Sequence, residues 1–260
     1  MEKITKKDIN NFKYYIIYGY LDSIKYLIKK GIDIHLDNDY AFKSSIVYGN
    51  LEIIKYLVEN GVNIHLDNDY AFKISIDKGN LEIIKYLIEN GVNIHLDNDY
   101  AFKISIDKGN LEIIKYLVEE KNFNINNNNN YGIKLSSYMG NLNIVKFLIE
   151  KGANFHIEYE YPLRISIKNN NIELIKYLLE KGSDVSLLNV NNIIFLLNNN
   201  IINNNIINKI KIDINFYLNN LNNENIINYL NSYFSYKFNK INIKIKKELI
   251  NKSNSFNYLL

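Results

Sequence analysis

Cysteine is absent from this sequence, and proline and arginine occur once each, the arginine as Arg164. Without cysteine the chain can form no disulfide, no thiolate nucleophile and no cysteine-bound zinc site. No apolar run approaches the ~18 residues of a membrane span, and the N-terminal segment MEKITKKDIN lacks the apolar core of a signal peptide. From these absences we expect a cytoplasmic protein without a membrane span.

The sequence also lacks a large excess of either charge. The formal net charge is +3, with 47% apolar and 23% charged residues, which is the composition of a folded chain. An excess of this size does not by itself indicate a nucleic-acid partner. There is no nucleophile motif and no glycine-rich phosphate loop. We therefore expect no catalytic residues and no cofactor.

What the sequence does contain is an internal repeat. The segment DNDYAFKISIDKGNLEIIKYL occupies Asp67–Leu87 and occurs again, unchanged, at Asp97–Leu117. A close copy fills Asp37–Leu57, and weaker copies follow at Asn128–Leu148 and Glu158–Leu178, after one extra residue near Lys121–Asn122. Identity over such lengths indicates that the chain is built from one duplicated unit of about 30 residues.

Each unit is predicted to form two short helices. In the copy that starts at Asp67, the first helix covers about Ala71–Lys78 and ends at Gly79. Asn80 is a favourable N-cap for the second helix, and Gly91 stands where a left-handed C-cap favours glycine. Neither helix is long enough to be stable alone, so neighbouring units must stack. The apolar stripe that indicates the buried face of the second helix is Leu81, Ile84, Leu87 and Ile88.

This unit resembles the ankyrin repeat. The segment GNLEIIKYLIENGVNIH, residues 79–95, is similar to that family's G-H-L-E-V-V-x-L-L-L-x-x-G-A-D-V-N segment, and Tyr161-Pro162-Leu163-Arg164 is similar to its T-P-L-H opening. The unit is shorter than the family's ~33 residues, and the missing residues fall between His65 and Tyr70, in the β-hairpin loop. The resemblance covers Phe12 to about Ser186 and implies an all-α ankyrin-repeat solenoid of stacked helix pairs with shortened β-hairpin loops. The low-complexity style is similar to that of the ankyrin proteins of giant DNA viruses that infect amoebae.

The repeat frame predicts the organisation of the whole chain. Residues 1–36 are expected to form an N-terminal capping repeat, and residues 188–260 degenerate repeats and a C-terminal cap, because terminal repeats cover the core with a polar face. Between them we expect five ankyrin-like repeats, at residues 37–66, 67–96, 97–127, 128–157 and 158–187.

Stacking places equivalent residues of successive repeats in columns, separated by the about 8–10 Å between packed helices. One column holds His35, His65, His95 and His156, and its members are too far apart to share one metal ion, so we interpret it as a polar turn position. A basic column holds Lys13, Lys43, Lys73, Lys103, Lys134 and Arg164. We expect these side chains to pair with the acids four residues before them, such as Asp69, which we interpret as an acid at the start of a helix.

Tyrosines also form columns. One consists of Tyr26, Tyr56, Tyr86, Tyr116 and Tyr177, and another of Tyr40, Tyr70, Tyr100, Tyr131 and Tyr161. Recurrence at the same helix position predicts packing between repeats, with the hydroxyls at the surface.

The resemblance further implies a binding surface. In ankyrin proteins the two residues before the glycine between the helices lie on the concave face and are among those that contact partners. Here these residues differ between otherwise near-identical repeats, and they include tyrosine, which is favoured at binding hot spots. The candidate partner-binding residues are Tyr18, Tyr48, Asp69, Asp77, Lys78, Asp99, Asp107, Lys108, Tyr138 and Lys168.

The function that we expect is that of a non-catalytic scaffold, a monomer that binds a protein partner on its concave face. Two alternatives stay open. Residues 209–252 carry eight lysines against Asp213, Glu224 and Glu248, so a basic C-terminal region could bind nucleic acid or an anionic membrane surface. The acidic surface of the middle repeats argues against nucleic acid. The repeats could also be a recent duplication without a specific ligand.

Overall fold

The computed structural model of the chain describes residues 3–188 and residues 192, 195, 196, 199 and 201. These residues divide into two compact units, the first ending at Asn154 and the second beginning at Phe155. All regular elements in this part of the chain are helices, which confirms the predicted all-α class. No helix among the described residues is long and apolar enough to cross a membrane. The predicted C-terminal cap and the basic C-terminal region lie almost entirely outside the described residues.

The first unit contains five helix pairs, and the second unit contains one. Pairs 1 to 5 are α1 (Lys6–Tyr18) with α2 (Leu21–Lys30), α3 (Leu36–Tyr48) with α4 (Leu51–Glu59), α5 (Leu66–Lys78) with α6 (Leu81–Glu89), α7 (Leu96–Asp107) with α8 (Leu111–Lys115), and α9 (Asn127–Met139) with α10 (Leu142–Glu150). A π-helical turn, Tyr116–Glu120, extends α8. Pair 6 is α11 (Tyr161–Lys168) with α12 (Ile172–Glu180), followed by a 3-10 turn at Val185–Leu187.

The five pairs of the first unit stack in chain order. The two helices of each pair pack together, and the first helices α1, α3, α5, α7 and α9 each contact the next. Phe72 of α5 and Ile84 of α6 are fully buried between the helices. The buried face of α6 consists of Ile83, Ile84 and Leu87, so the apolar arc is turned slightly from the predicted stripe. Short helices are thus stabilised by burial against their neighbours.

Asparagine links consecutive helix pairs at the turn between their two helices. Asn80 caps α6, because its Oδ1 accepts a hydrogen bond from the Ile83 amide at 3.2 Å, as predicted. A Cβ added to Gly49 would lie only 3.0 Å from Nδ2 of Asn80, so the asparagine of one pair packs against the glycine of the pair before it. At the preceding junction, Asn50 donates to the carbonyl of Ile16 at 2.6 Å. The same side chain type therefore sets the turn and ties neighbouring pairs together.

Left-handed turns take the place of β-hairpin loops between the helix pairs. Three successive residues have φ between +47° and +63° at residues 37–39, 67–69, 97–99 and 128–130. In the second unit, residues 158–160 have the same conformation immediately before α11. Aspartate and asparagine adopt left-handed φ at lower cost than other residues, because their short polar side chains bond locally. The predicted shortening of the loops is confirmed, and Asp69 does stand at the start of α5, but in this left-handed turn.

One junction differs from the others because it contains the extra residue. The π-helical turn at Tyr116–Glu120 absorbs the insertion, and Asn122, with φ +53°, occupies the position that Gly91 has in pair 3. Phe123 then replaces a valine of the earlier repeats and stacks on Phe102, with ring centroids 4.4 Å apart. Gly132 stands where those repeats have alanine, and a Cβ there would lie 2.8 Å from the Phe102 ring. The larger side chain on one helix pair is therefore matched by a smaller one on the next.

Candidate protein-binding surface

The last residues of the first helices form an exposed row on the first unit, which we call the first-helix row. It consists of Tyr18, Tyr48, Asp77, Lys78, Asp107, Lys108 and Tyr138, all of them exposed. The three tyrosines are 60%, 53% and 55% exposed, although tyrosine side chains are commonly at least partly buried. The glycines that follow α3 and α5 hold left-handed φ of +77° and +73°, so each helix ends directly after its row residues.

The centre of the first-helix row is charged, and its ends are aromatic. Asp77 and Lys78 belong to pair 3, and Asp107 and Lys108 to pair 4. The Tyr100 hydroxyl donates to Oδ2 of Asp77 at 3.3 Å, so this carboxylate is held toward the next helix pair. Burial, together with the negative charge of Asp77, raises the pKa of Tyr100, and the phenol remains a neutral donor at physiological pH.

Asp69 and Asp99, which the sequence placed among the candidates, do not lie in the first-helix row. Each is the third residue of a left-handed turn and accepts a hydrogen bond from Nδ1 of the histidine four residues before it, at 2.6 Å. Asp99 is only 6% exposed and also accepts from Asn128 at 2.6 Å. These carboxylates therefore hold the turns together.

The histidine column has the structural role that the sequence suggested. His35 and His156 bond Asp39 and Glu160 in the same way as the other two histidines bond their aspartates, each at 2.6 Å. No group of three or more histidine, aspartate or glutamate side chains among the described residues could hold a metal ion. Oε2 of Glu160 is buried without a hydrogen-bond partner, and we have no physical account of that oxygen.

The predicted pairing of the basic column is wrong. Lys13 pairs with Asp37 at 2.5 Å, and Lys73 pairs with Asp97 at 2.6 Å, so the acid belongs to the next helix pair and not to the same one. The left-handed turns cause this difference, because they bend the third aspartate toward its histidine and leave the first aspartate facing the preceding lysine. Arg164, in the second unit, instead donates to the backbone carbonyl of Tyr159 at 2.9 Å. These side chains of the basic column therefore connect structural elements by ion pairs and hydrogen bonds.

Packing between helix pairs accounts for most of the two tyrosine columns, as predicted, but the Tyr116 hydroxyl is buried and does not lie at the surface. Tyr116 is 4% exposed, and the Lys85 ammonium lies 5.6 Å from its ring centroid. Burial is the main cause of the raised pKa of Tyr116 and of Tyr86. Tyr26, in pair 1, is the exception, since it is 63% exposed.

Lys168 lies in the second unit and is described separately. It is exposed near the end of α11, where it lines an open depression of about 310 Å³. The other described residues that line this depression are Tyr161, Arg164, Ile165 and Asn192.

Sequence reasoning missed two exposed tyrosines in pair 1. Tyr14 is 48% exposed and Tyr20 is 50% exposed, and both contact Tyr18. The signal that could have found Tyr20 is its position, because the equivalent residue of every later pair is the linking asparagine.

Comparison with known families agrees with this architecture. The family model described as ankyrin repeats (3 copies) matches residues 12–98, 72–159 and 100–189. The chain belongs to the ankyrin-repeat family. Ankyrin repeats are generally protein–protein interaction modules and typically non-catalytic scaffolds. No curated protein sequence matches this ankyrin-repeat chain.

Solved structures of ankyrin repeat domains share the fold. The chain is similar to the human ASB11 ankyrin repeat domain, with a TM-score of 0.52 and 20% identity, over 70% of this chain and 87% of that one. It is also similar to the ankyrin repeat domain of Bcl-3, a member of the IkappaB protein family, with a TM-score of 0.52 and 15% identity, over 70% of this chain and 90% of that one. Identities of this size show the fold alone.

Proposed function

We propose that this ankyrin-repeat chain is a non-catalytic scaffold that binds a protein partner through the first-helix row, on the concave side of the repeats. One observation carries the proposal. Pair 2 is nearly identical to pairs 3 and 4 around the row, yet it has Tyr48 where they have Lys78 and Lys108. The row also carries a tyrosine in pairs 1 and 5, and all three rings remain more than half exposed. Residues that vary at the surface while their packing neighbours repeat are free to adapt to a ligand.

The composition of the row suits a protein interface. Tyrosine supplies a large apolar area with few rotatable bonds, and it is enriched at residues that dominate binding energy. The aspartate–lysine pairs at the centre would set the register of the partner by charge complementarity. Asp69 and Asp99 are left out of the proposed row, because histidine side chains already bond their carboxylates. Lys168 is kept as a separate candidate contact on the second unit.

Partner binding is tested by changing two row tyrosines together. The partner is first isolated by cross-linked affinity purification from the native cell. The double variant Tyr48→Ala with Tyr138→Ala should then weaken the binding of that partner by about 2 kcal/mol or more if either ring is a hot spot. The melting temperature should hardly change, because surface substitutions usually stay within about ±0.5 kcal/mol. Titration calorimetry and a thermal melt measure the two quantities.

Tyr26→Ala provides the matched control, since Tyr26 is an exposed tyrosine outside the row. We expect it to leave the affinity unchanged. If the double variant binds like the wild type while deletion of residues 237–260 abolishes binding, the contact lies in the basic C-terminal region and the row proposal is wrong. Steep loss of binding with added salt would then indicate an anionic ligand.

The proposal also includes the repeat boundaries, the oligomeric state and the location of the protein. Left-handed turns begin at residues 37, 67, 97, 128 and 158, and this supports repeat boundaries at those positions. We also propose that the protein is a monomer and that it works in the cytoplasm. Light scattering after size-exclusion chromatography would contradict the monomeric state if it gave twice the chain mass of 30.6 kDa.

A further inference from the structure

The end of α1 and the turn to α2 carry four tyrosines in a connected set of ring contacts, which we call the turn cluster: Tyr14, Tyr15, Tyr18 and Tyr20. Their neighbouring ring centroids lie 4.4 to 6.4 Å apart. Tyr14, Tyr18 and Tyr20 are about half exposed. Rings that support one another are already ordered, so these side chains lose little conformational entropy when a ligand binds.

Tyr20 interrupts the series of linking asparagines. In pair 2 the equivalent residue, Asn50, donates to a carbonyl of the preceding pair. Pair 1 is the first helix pair among the described residues. The aromatic ring at this position instead joins Tyr14, Tyr15 and Tyr18 in an open surface.

One acid follows Tyr20 by two residues, in the first turn of α2. Asp22 is the only charged residue from Tyr14 to Ile24, and it is exposed. The equivalent acids Glu52, Glu82 and Glu112 each contact the lysine three residues later, at 2.8 to 3.6 Å. Lys25 does not pair with Asp22, because its ammonium lies over the Tyr56 ring, 5.4 Å from the centroid. The carboxylate of Asp22 therefore has no cation beside it in the described part of the chain.

The chain itself shows which ligand its tyrosines accept. Four contacts place a lysine of one helix pair over a tyrosine ring of the next, and two of them are at the junction of pairs 1 and 2. Besides the Lys25–Tyr56 contact, these are Lys13 over Tyr40 at 4.9 Å, Lys85 over Tyr116 at 5.6 Å and Lys103 over Tyr131 at 5.2 Å. A cation within about 6 Å of a ring centroid is attracted by the negative face of the ring. In the described part of the chain, no lysine lies over the rings of the turn cluster.

We propose that the turn cluster and Asp22 together bind a lysine or arginine side chain of a protein partner. The ring faces attract the cation, and the carboxylate neutralises its charge. An anionic ligand is disfavoured by the positions of the lysines of pair 1. Lys6, Lys7, Lys29 and Lys30 lie at the opposite end of the two helices, where Lys30 pairs with Asp8 at 2.9 Å. Lys13 and Lys25 lie over tyrosine rings of pair 2. This inference goes beyond the proposed function, since Tyr14, Tyr20 and Asp22 are not part of the first-helix row.

The test uses the full chain, labelled with ¹⁵N, and a short blocked peptide of glycine, serine and lysine. Amide shifts at Tyr14–Asp22 should follow the titration. The same peptide with every lysine acetylated should cause no shift, because acetylation removes the charge and keeps the shape. Tyr20→Leu and Asp22→Asn should each weaken binding about two- to fivefold, the range expected for an exposed cation–aromatic contact. Tyr20→Phe should bind like the wild type, because it keeps the ring.

Two matched controls distinguish binding at the turn cluster from a general effect of surface charge or of exposed tyrosine. Glu82→Gln removes the same charge as Asp22→Asn at the equivalent position of pair 3, and Tyr26→Leu removes an exposed tyrosine of the same pair. Both should leave the affinity unchanged. Equal binding of the acetylated peptide, equal loss in Glu82→Gln, or preference of the cluster for a short single-stranded oligonucleotide would each overturn the proposal. If Tyr20→Leu does not fold, Asp22→Asn and the acetylated peptide decide it.

Discussion

Several single residues in this chain have left-handed backbone conformations that most residue types avoid. Gly91, where the sequence predicted a left-handed end for the second helix, has φ +99°. The left-handed turns were not predicted, because each such residue costs roughly 1–2 kcal/mol on its own and a run of three looks unfavourable. Contacts outside the turn overcome that cost, as in residues 67–69, where Asp67 bonds Lys43 and Asp69 bonds His65. Such contacts depend on the stacked fold and leave no local signal.

Gly91 gives the first prediction at this scale. Gly91→Val should lower the free energy of unfolding by roughly 1–2 kcal/mol, because a β-branched residue is strained at positive φ. No atom lies within 4 Å of an added Cβ, so strain and not a clash would cause the loss. Gly91→Asn should cost less, since Asn122 is left-handed at the equivalent position. Urea denaturation of the three proteins checks this, and a valine variant as stable as the wild type would show that the end of α6 is misplaced.

Asp8 gives a prediction about pH. Hydrogen bonds from Thr5, and then from Lys30, lower the pKa of Asp8 from 3.8 to about 2. A carboxyl whose pKa is depressed by folding contributes its full stability above the unfolded pKa of 3.8, and that contribution is lost as the pH falls through the folded pKa. Asp8→Asn should therefore be destabilising at pH 7, and the difference should disappear as the pH falls below about 2. Denaturant unfolding across this range measures it; a constant difference would contradict the assigned hydrogen bonds.

Several side chains in this chain pair with residues of the next helix pair and not with residues of their own helix. The sequence correctly predicted the two helices of each repeat, because glycine, asparagine and the apolar spacing mark them locally. It paired Lys73 with Asp69 in the same element, whereas the structure pairs Lys73 with Asp97 of the next. Side-chain spacing along a helix cannot reveal a contact across a junction whose loop conformation is unknown. The same limit hid the contact between Phe102 and Phe123.

The Phe123 junction gives the prediction at the scale of elements. Gly132→Ala should destabilise by about 1–3 kcal/mol through overpacking, because the new methyl group would lie 2.8 Å from the Phe102 ring. Helix propensity alone would give the opposite sign, since alanine favours a helix interior over glycine. Adding Phe123→Val should recover part of the loss, as the earlier repeats combine valine with alanine. A double-mutant cycle by urea unfolding measures the coupling, and strictly additive effects would show that the two sites are independent.

The whole molecule combines a uniform framework with a variable surface. Its fold class and family could be predicted from the sequence, because the repeat occurs many times and each copy supports the others. The exposed row could be located only through the resemblance, since tyrosine columns at other positions, such as Tyr86, turned out to pack between helix pairs. Exposure separates the two kinds of tyrosine, and exposure depends on the stack as a whole.

The most direct test of the binding row is site-specific photo-crosslinking in the native cell. A photoreactive phenylalanine analogue is placed at Tyr48 or Tyr138 in the row, and at Glu82 or Glu112, which are exposed on the second helices. We expect one and the same protein to be captured from both row positions and not from the second helices. Capture from Glu82 and Glu112 with none from Tyr48 and Tyr138 would contradict the central claim that partners bind the first-helix row.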